Sequence, residues 1–260
     1  PAAMAALRDA KVILFGIGGV GSWTAEALIR TGIGHLVLVD SDRVCITNVN
    51  RQVQATTGNV GCSKVQELAF RLRIINPEAT IVAREEVYGF DTKDAFDLAS
   101  HDYVLDAIDS LSPKLGLIEQ ALGLPVTLFS AMGASGKMDP TRVRTGSVWK
   151  SCGCPLARRI RKRMRHHGIA ADFQVVYSDE QRVSRGIDAV PVHEDRPVPG
   201  CNPASEDAAP ASPSFGPSHK AFLNGSLVQV TATFGMCLAS LVINDVVARS
   251  SGLPPELGIR

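Results

Sequence analysis

The chain has 260 residues, with 27 Lys and Arg against 26 Asp and Glu, a length that suits one α/β domain able to bury a real core without disulfides or metal staples. A net charge of +1 excludes any inference about partners from overall charge, so only the distribution of charge along the chain is informative. The six cysteines, at positions 45, 62, 152, 154, 201 and 237, are too sparse for a disulfide framework and point to a reducing compartment, the cytoplasm.

In chain order, "KVILFGIGGVGS" from residue 11 predicts a buried strand that runs into a glycine turn, and "WTAEALIRTGIG" a helix that stops at Gly32. No secretory signal or transit peptide is visible ahead of that strand. "HLVLVD" is the next strand. From 63 to 75, Val65, Leu68, Ala69, Leu72 and Ile75 share one face at helical spacing, and Asn76-Pro77 ends that helix. "ATIVARE" is a third strand, "DTKDAFDLAS" a helix, "DYVLDAID" a strand closed by Asp109, "SPKLGLIEQALGL" a helix with Pro113 in its first turn, and "PVTLFSA" another strand. Strands alternating with helices at this spacing predict a Rossmann-like, doubly wound and mostly parallel sheet through residue 131.

The second half is less regular. "RVRTGSVWK" predicts a further strand and 156–165 a short basic helix. Six prolines between Asp195 and Ala221, among Ser, Ala and Gly, cannot sustain a helix or a sheet ladder and predict a mobile surface loop. The apolar stretch 227–247 carries Gln229, Thr231, Thr233, Ser240, Asn244 and Asp245, groups costly in hydrocarbon, which favours a buried helix over a membrane span. We therefore expect a single domain over 1–260, with a nucleotide-binding half at 11–131 and a substrate and dimerisation half at 132–260 interrupted by the loop.

Gly16, Gly18 and Gly21 form GxGxxG, with Gly19 added, at a strand-to-helix junction. Glycine lets a backbone approach phosphates, and the following helix start offers free N–H groups to an anion. Asp40 closes the second strand, where a carboxylate can accept hydrogen bonds from ribose hydroxyls. These features predict a nucleotide without choosing between NAD and ATP. Asn48, Arg51 and Lys64 tilt the choice towards ATP, because a triphosphate repays an arginine fork and a lysine point charge beyond what backbone amides give a dinucleotide. A carboxylate at Asp109, at the same sheet edge, suits Mg²⁺ bridging phosphates.

The segments "GIGGVGS", "LVDSDRVCITNVNRQ", "NVGCSKV", "INP" and "VLDAIDS", in that order over residues 11–115, resemble the ubiquitin-activating-enzyme-like superfamily of adenylating enzymes. The resemblance implies that Asp40, with Asp42 beside it, binds the ribose of ATP, that Asn48, Arg51 and Lys64 handle its phosphates, and that Asp109 holds Mg²⁺. It assigns the catalytic roles to Arg51, Lys64 and Asp109, in a homodimer. The implied chemistry is attack of a substrate carboxylate on the α-phosphate, giving an acyl-adenylate and pyrophosphate. Superfamily members carry an upstream arginine that reaches the partner subunit's ATP, and no counterpart is expected before Lys11.

The second half, "SAMGASGKMDPTRVRTGSV" followed by "CPLARRIRKRMRHHGI", is similar to the branch of tRNA threonylcarbamoyladenosine dehydratases, which activate the modified base's own carboxylate and let it cyclise. The sulfur-carrier-activating branch usually carries two CxxC pairs for structural zinc, and this chain has none. A basic surface adds physical support: from Pro140 to Ala171 there is no acidic residue, against Arg142, Arg144, Lys150, Arg158, Arg159, Arg161, Lys162, Arg163 and Arg165. With Leu156, Ile160 and Met164 docked on the domain, the six cations of 156–165 would face an RNA backbone. Cys152 and Cys154 lack two further ligands at zinc spacing, Cys201 has no activating neighbour in sequence, and Cys237 lies on an apolar helix. The expected partner is tRNA, with no membrane and with room for a sulfur-transfer protein. The rival readings are adenylation of a ubiquitin-like sulfur carrier, an NAD-dependent oxidoreductase, and a non-catalytic tRNA-binding module.

Overall fold

The computed structural model describes residues 2–181 and 225–252. The proline-rich stretch at 195–221 and Cys201 lie outside the described residues. A seven-stranded sheet is built from Lys11–Phe15 (β1), His35–Val39 (β2), Thr80–Arg84 (β3), Tyr103–Asp106 (β4), Thr127–Ala131 (β5), Val143–Ser147 (β6) and Gln174–Ser178 (β7). Their order across the sheet is β3-β2-β1-β4-β5-β7-β6. The first six strands in that order run parallel, and only β6 pairs antiparallel, as an edge strand on β7. The strand order reverses between β1 and β4, which makes the crevice at their carboxyl ends the expected ligand position.

β1 is apolar almost throughout because both of its faces are covered. Val12 and Leu14 join one core layer, with Leu7 of Ala2–Asp9 (α1), Leu28 of Gly21–Thr31 (α2), Leu68 of Lys64–Ile75 (α3) and Phe234 of Val228–Ser250 (α6). Ile13 and Phe15 join the opposite layer, with Leu117 of Leu111–Leu122 (α4) and Ile160 of Pro155–His166 (α5). The α/β class and the Rossmann-like order therefore stand as the sequence predicts.

Four local expectations need correction. First, a helix with an arginine does precede β1: α1 carries Arg8 in its last turn, buries Leu7 and packs against α6. Second, 91–100 is not one helix but two 3₁₀ turns, Lys93–Ala95 and Leu98–Ser100. Phe96 and Leu98 are both buried, whereas an α-helix would send residues two apart to nearly opposite sides. Phe96 instead packs edge-on against Phe15, with centroids 5.3 Å apart, under the guanidinium of Arg84. Third, β7 is an additional strand inserted between β5 and β6. Fourth, β4 stops at Asp106, so Asp109 lies in the turn beyond it.

α6 is long and apolar enough to cross a membrane by length and composition. Its apolar side is nevertheless occupied by protein: Val230, Phe234, Leu238, Ala239 and Val242 lie in the core. Gln229 and Asn244 are exposed, and other polar groups are satisfied by neighbouring protein. The Tyr103 hydroxyl donates to Asp245 at 2.7 Å, Arg249 pairs with the same carboxylate, and Thr231, Thr233 and Ser240 donate to backbone carbonyls of their own helix.

The glycine turn is the tightest point of the fold. Gly16 has φ +87°, and a Cβ added at Gly21 would lie 1.8 Å from the Gly16 carbonyl oxygen. Gly21→Ala should therefore destabilise the protein by roughly 3 kcal/mol or more, because strand and helix must separate to admit the methyl. Urea unfolding checks this, and a loss below about 1 kcal/mol would mean that the turn has room to spare.

Candidate functional site

A cavity of about 270 Å³ opens at the carboxyl ends of β1, β2 and β4, lined among others by Gly16, Gly18, Asp40, Asp42, Gln52, Lys64, Tyr88 and Asp109. The two ends of the glycine turn are fixed by backbone bonds: the Gly16 N–H donates to the Val39 carbonyl and the Ser22 N–H to that of Gly18. Gly18 meets the cavity, while Gly19 and Gly21 stand behind it. The aliphatic stem of Arg51 packs on Gly19, within 3.2 Å of where a Cβ would be.

Asp40 sits where the chain leaves β2. Its two oxygens accept the N–H groups of Ile17, at 2.6 Å, and Asp42, at 2.8 Å. Burial pushes its carboxyl above the usual range, opposed by those two N–H bonds and by Lys64. The carboxylate thus fixes the glycine turn and retains lone pairs for a ligand's hydroxyls.

Lys64 is the first residue of α3 and is nearly buried, with its ammonium 2.7 Å from Asp42, whose carboxylate is 67% exposed. The neighbouring backbone explains the placement. The Lys64 N–H donates to the Asp42 carbonyl, and the Val44 N–H to that of Cys62, so the loop after β2 is strapped to the start of α3.

Asn48 and Arg51 stand outside the cavity wall. Asn48 accepts from the Cys45 N–H and closes the 3₁₀ turn Ile46–Asn48. Arg51 donates to the Thr47 carbonyl and the Asn50 side chain, and its own carbonyl accepts from the Trp23 indole. The structure therefore gathers Gly16, Gly18, Asp40, Asp42, Lys64 and Asp109 around one space, with Arg51 over the adjoining glycine.

Asp109 is exposed, and among the described residues its side chain bonds only with the Ser110 hydroxyl, at 3.3 Å. Its free oxygens and position suit a hard cation shared with phosphates, since Mg²⁺ commonly takes one or two carboxylates and completes its shell with phosphate and water. Among the described residues no three His, Cys, Asp or Glu side chains converge into a metal cage made by protein alone.

Sequence reasoning missed several residues here. Gln52 is buried on the cavity wall beside Gly18. Beneath Asp109, Asp106 and Lys114 form a fully buried ion pair at 2.8 Å. Gln52 lies in an unbroken polar run that could have signalled it. Asp106 falls inside the predicted strand "DYVLDAID" and Lys114 on the predicted helix that follows, with no signal that they meet.

The basic stretch is less uniformly available than its sequence suggests. Arg142 and Arg144 both pair with Asp179, which lies beyond the acid-free interval. Arg161 turns inward to Ser151 at 2.6 Å, and Arg165 lies over Trp149 at 5.2 Å. Ala157, Ile160 and Met164 make the buried stripe of α5, with Leu156 only at its margin. Arg158, Arg159, Lys162 and Arg163 are exposed, and their i, i+1, i+4, i+5 spacing places them on one face. A second cavity, of about 370 Å³, lies at the start of α5 beside Cys152, Cys154, Arg158 and Arg161. Cys154 caps that helix, its sulfur accepting from the Ala157 and Gly133 N–H groups.

Comparison with known proteins places this geometry in a wider set. The model of the ThiF family matches residues 1–256. A relative from Escherichia coli, a tRNA threonylcarbamoyladenosine dehydratase, is 35% identical over 96% of this chain and 90% of its own length. A Bacillus subtilis protein of the same description is 41% identical over 68% of this chain and 70% of its own. The crystal structure of the Escherichia coli dehydratase in complex with ATP superposes with a TM-score of 0.78 at 32% identity, covering 97% of this chain and 91% of that one.

Proposed function

This chain belongs to the ThiF family, and on that footing we propose that it carries out the ATP-dependent dehydration of threonylcarbamoyladenosine in tRNA. The observation that supports this most is the convergence of Gly16, Asp40, Asp42, Lys64 and Asp109 on one cavity at the sheet's reversal point. In a dinucleotide oxidoreductase Lys64 and Asp109 would have no task, whereas a triphosphate and its metal use both.

In this reading Asp40 and Asp42 hold the ribose, the glycine turn takes the phosphates, and Arg51 and Lys64 stabilise charge on the departing pyrophosphate. Asp109 would hold Mg²⁺, which when bound neutralises charge shared between phosphates. The substrate's carboxylate oxygen bonds to the α-phosphorus as the bond to pyrophosphate breaks. The neighbouring carbamoyl group of the same nucleoside then attacks the activated carbonyl carbon, AMP leaves with the original carboxylate oxygen, and one proton is released. The substrate has lost the elements of water. Because the nucleophile is already in the substrate, proximity does much of the work and no protein nucleophile is required.

We assign tRNA contact to the exposed cations Arg158, Arg159, Lys162, Arg163 and Arg165, with the half-buried Arg161 at their edge. The proposal extends to a single adenylating domain over 1–260, a homodimer, a cytoplasmic location, and a sulfur-transfer protein as a possible partner. Sedimentation measures the dimer directly.

Incubation with Mg·ATP and threonylcarbamoyladenosine-modified tRNA should give nucleosides lighter by one water, together with AMP. ATP–pyrophosphate exchange that requires a ubiquitin-like protein and ignores tRNA would establish the sulfur-carrier alternative instead. Asp40→Ala should raise the KM for ATP roughly 10- to 100-fold, the range of a charged hydrogen bond, with a smaller effect on kcat. Unchanged ATP affinity would remove Asp40 from the nucleotide's contacts.

A further inference from the structure

Lys114 is fully buried. Its ammonium donates to the Ile108 carbonyl at 2.9 Å and the Ala131 carbonyl at 2.8 Å, and pairs with the Asp106 carboxylate at 2.8 Å. Asp106 is equally buried and accepts the Ile108 N–H at 3.0 Å on one oxygen and the Ser130 hydroxyl at 2.6 Å on the other. Both polar groups of the Ile108 backbone are therefore held by one ion pair, directly before Asp109. The opposite side of that turn is closed by Gly16, where a Cβ would lie 2.7 Å from the Ala107 carbonyl oxygen.

A buried ion pair is not an efficient way to gain stability, since well-packed apolar residues of similar volume often do as well or better. What this pair provides is direction. The Ala131 carbonyl ends β5, before the Met132–Lys137 segment of the second half, and the Ile108 carbonyl lies two residues past the end of the neighbouring β4, in the turn that carries Asp109. Left unpaired, either carbonyl would turn towards water and carry its loop with it.

We propose that Lys114 and Asp106 are positioning residues that fix the Ala107–Asp109 turn against the glycine loop and lock it to the segment after β5. Neither touches a reacting atom. Their contribution is a turn held rigid at the phosphate end of the cavity, as preorganised sites require. The proposal rests on the assignment of Asp109 to the phosphate-bound cation.

The test compares wild type with Lys114→Met, with Asp106→Asn/Lys114→Met, which leaves no buried charge unpaired, and with the milder Ser130→Ala and Lys114→Gln. Three quantities are read below each variant's melting point: amide exchange of the peptide spanning 107–112, kcat for AMP formation, and the Mg²⁺ concentration for half activity. The expected result is faster exchange at 107–112 with β1 and β2 still protected, at least a tenfold loss of kcat, and a higher Mg²⁺ requirement. Ser130→Ala and Lys114→Gln should fall between these variants and wild type. A folded variant with wild-type exchange and wild-type kcat overturns the proposal, as does a lowered melting point with kcat intact. Asp109→Asn run alongside separates the two assignments. If it leaves the Mg²⁺ requirement unchanged, the metal assignment fails, while exchange and kcat still decide the positioning role.

Discussion

Asp109→Asn is expected to lower the rate of AMP formation on the order of 100- to 1,000-fold, the cost typical of removing one group that stabilises developing charge. The melting temperature should barely move. Asp109 is exposed and among the described residues its side chain bonds only with the Ser110 hydroxyl, at 3.3 Å, so no buried partner among them is stranded by the substitution. The contrast with Asp106, three residues earlier, sharpens the test. Asp106 is fully buried on Lys114, and Asp106→Asn would leave an ammonium without its counter-charge, a loss of about 3–5 kcal/mol. A stable, inactive Asp109→Asn protein beside a destabilised Asp106→Asn protein is the predicted pair of outcomes. Wild-type turnover in Asp109→Asn would remove that carboxylate from the chemistry. Titration with Mg²⁺ adds a further check, because a lost ligand should be partly offset by more metal.

The legible parts of this chain were those in which one short segment determines its own structure. β1, the glycine turn and α2 follow from an apolar run, a left-handed glycine and a helical repeat within 22 residues, and the structure places them as that pattern requires. α3 is equally plain, since Val65, Leu68, Ala69 and Leu72 of its apolar stripe are buried and Ile75 partly so. Legibility failed where distant segments decide. β7 is five residues long and acquires its place by inserting between β5 and β6, a non-local event that leaves no periodic signature. The two 3₁₀ turns around Phe96 exist because Phe15 and Tyr88 receive its ring. The Lys114–Asp106 pair depends on three elements meeting, and Arg161 reads as a free cation because its bond to Ser151 joins residues ten apart in sequence. In the site, sequence gave residue types at the correct sheet edge. The division of labour, with Gly18 on the cavity and Gly21 behind it, required the packing.

Substitution of Arg158, Arg159, Lys162 and Arg163 together by glutamine should weaken tRNA binding on the order of 100-fold at physiological salt. It should also reduce the slope of log affinity against log salt by about 3, since each phosphate contact accounts for somewhat less than one released counterion. These four are exposed cations of α5; Arg165, also exposed, and Arg161 are left in place because their contacts with Trp149 and Ser151 would confuse loss of binding with loss of structure. Folding should survive. Ala157, Ile160 and Met164 hold the helix to the core, and glutamine matches lysine and arginine closely in helix propensity. The KM for ATP should stay within about twofold of wild type, because none of the four lines the nucleotide cavity and exposed charges more than a Debye length away are largely screened. The pattern of outcomes discriminates among functions. Lost tRNA affinity with intact ATP binding supports a nucleic-acid substrate presented by α5 to a separate nucleotide pocket. Equal affinity and equal salt slope in mutant and wild type would reduce the helix to a solvated face and shift weight to a protein substrate, whose recognition has no need of counterion release.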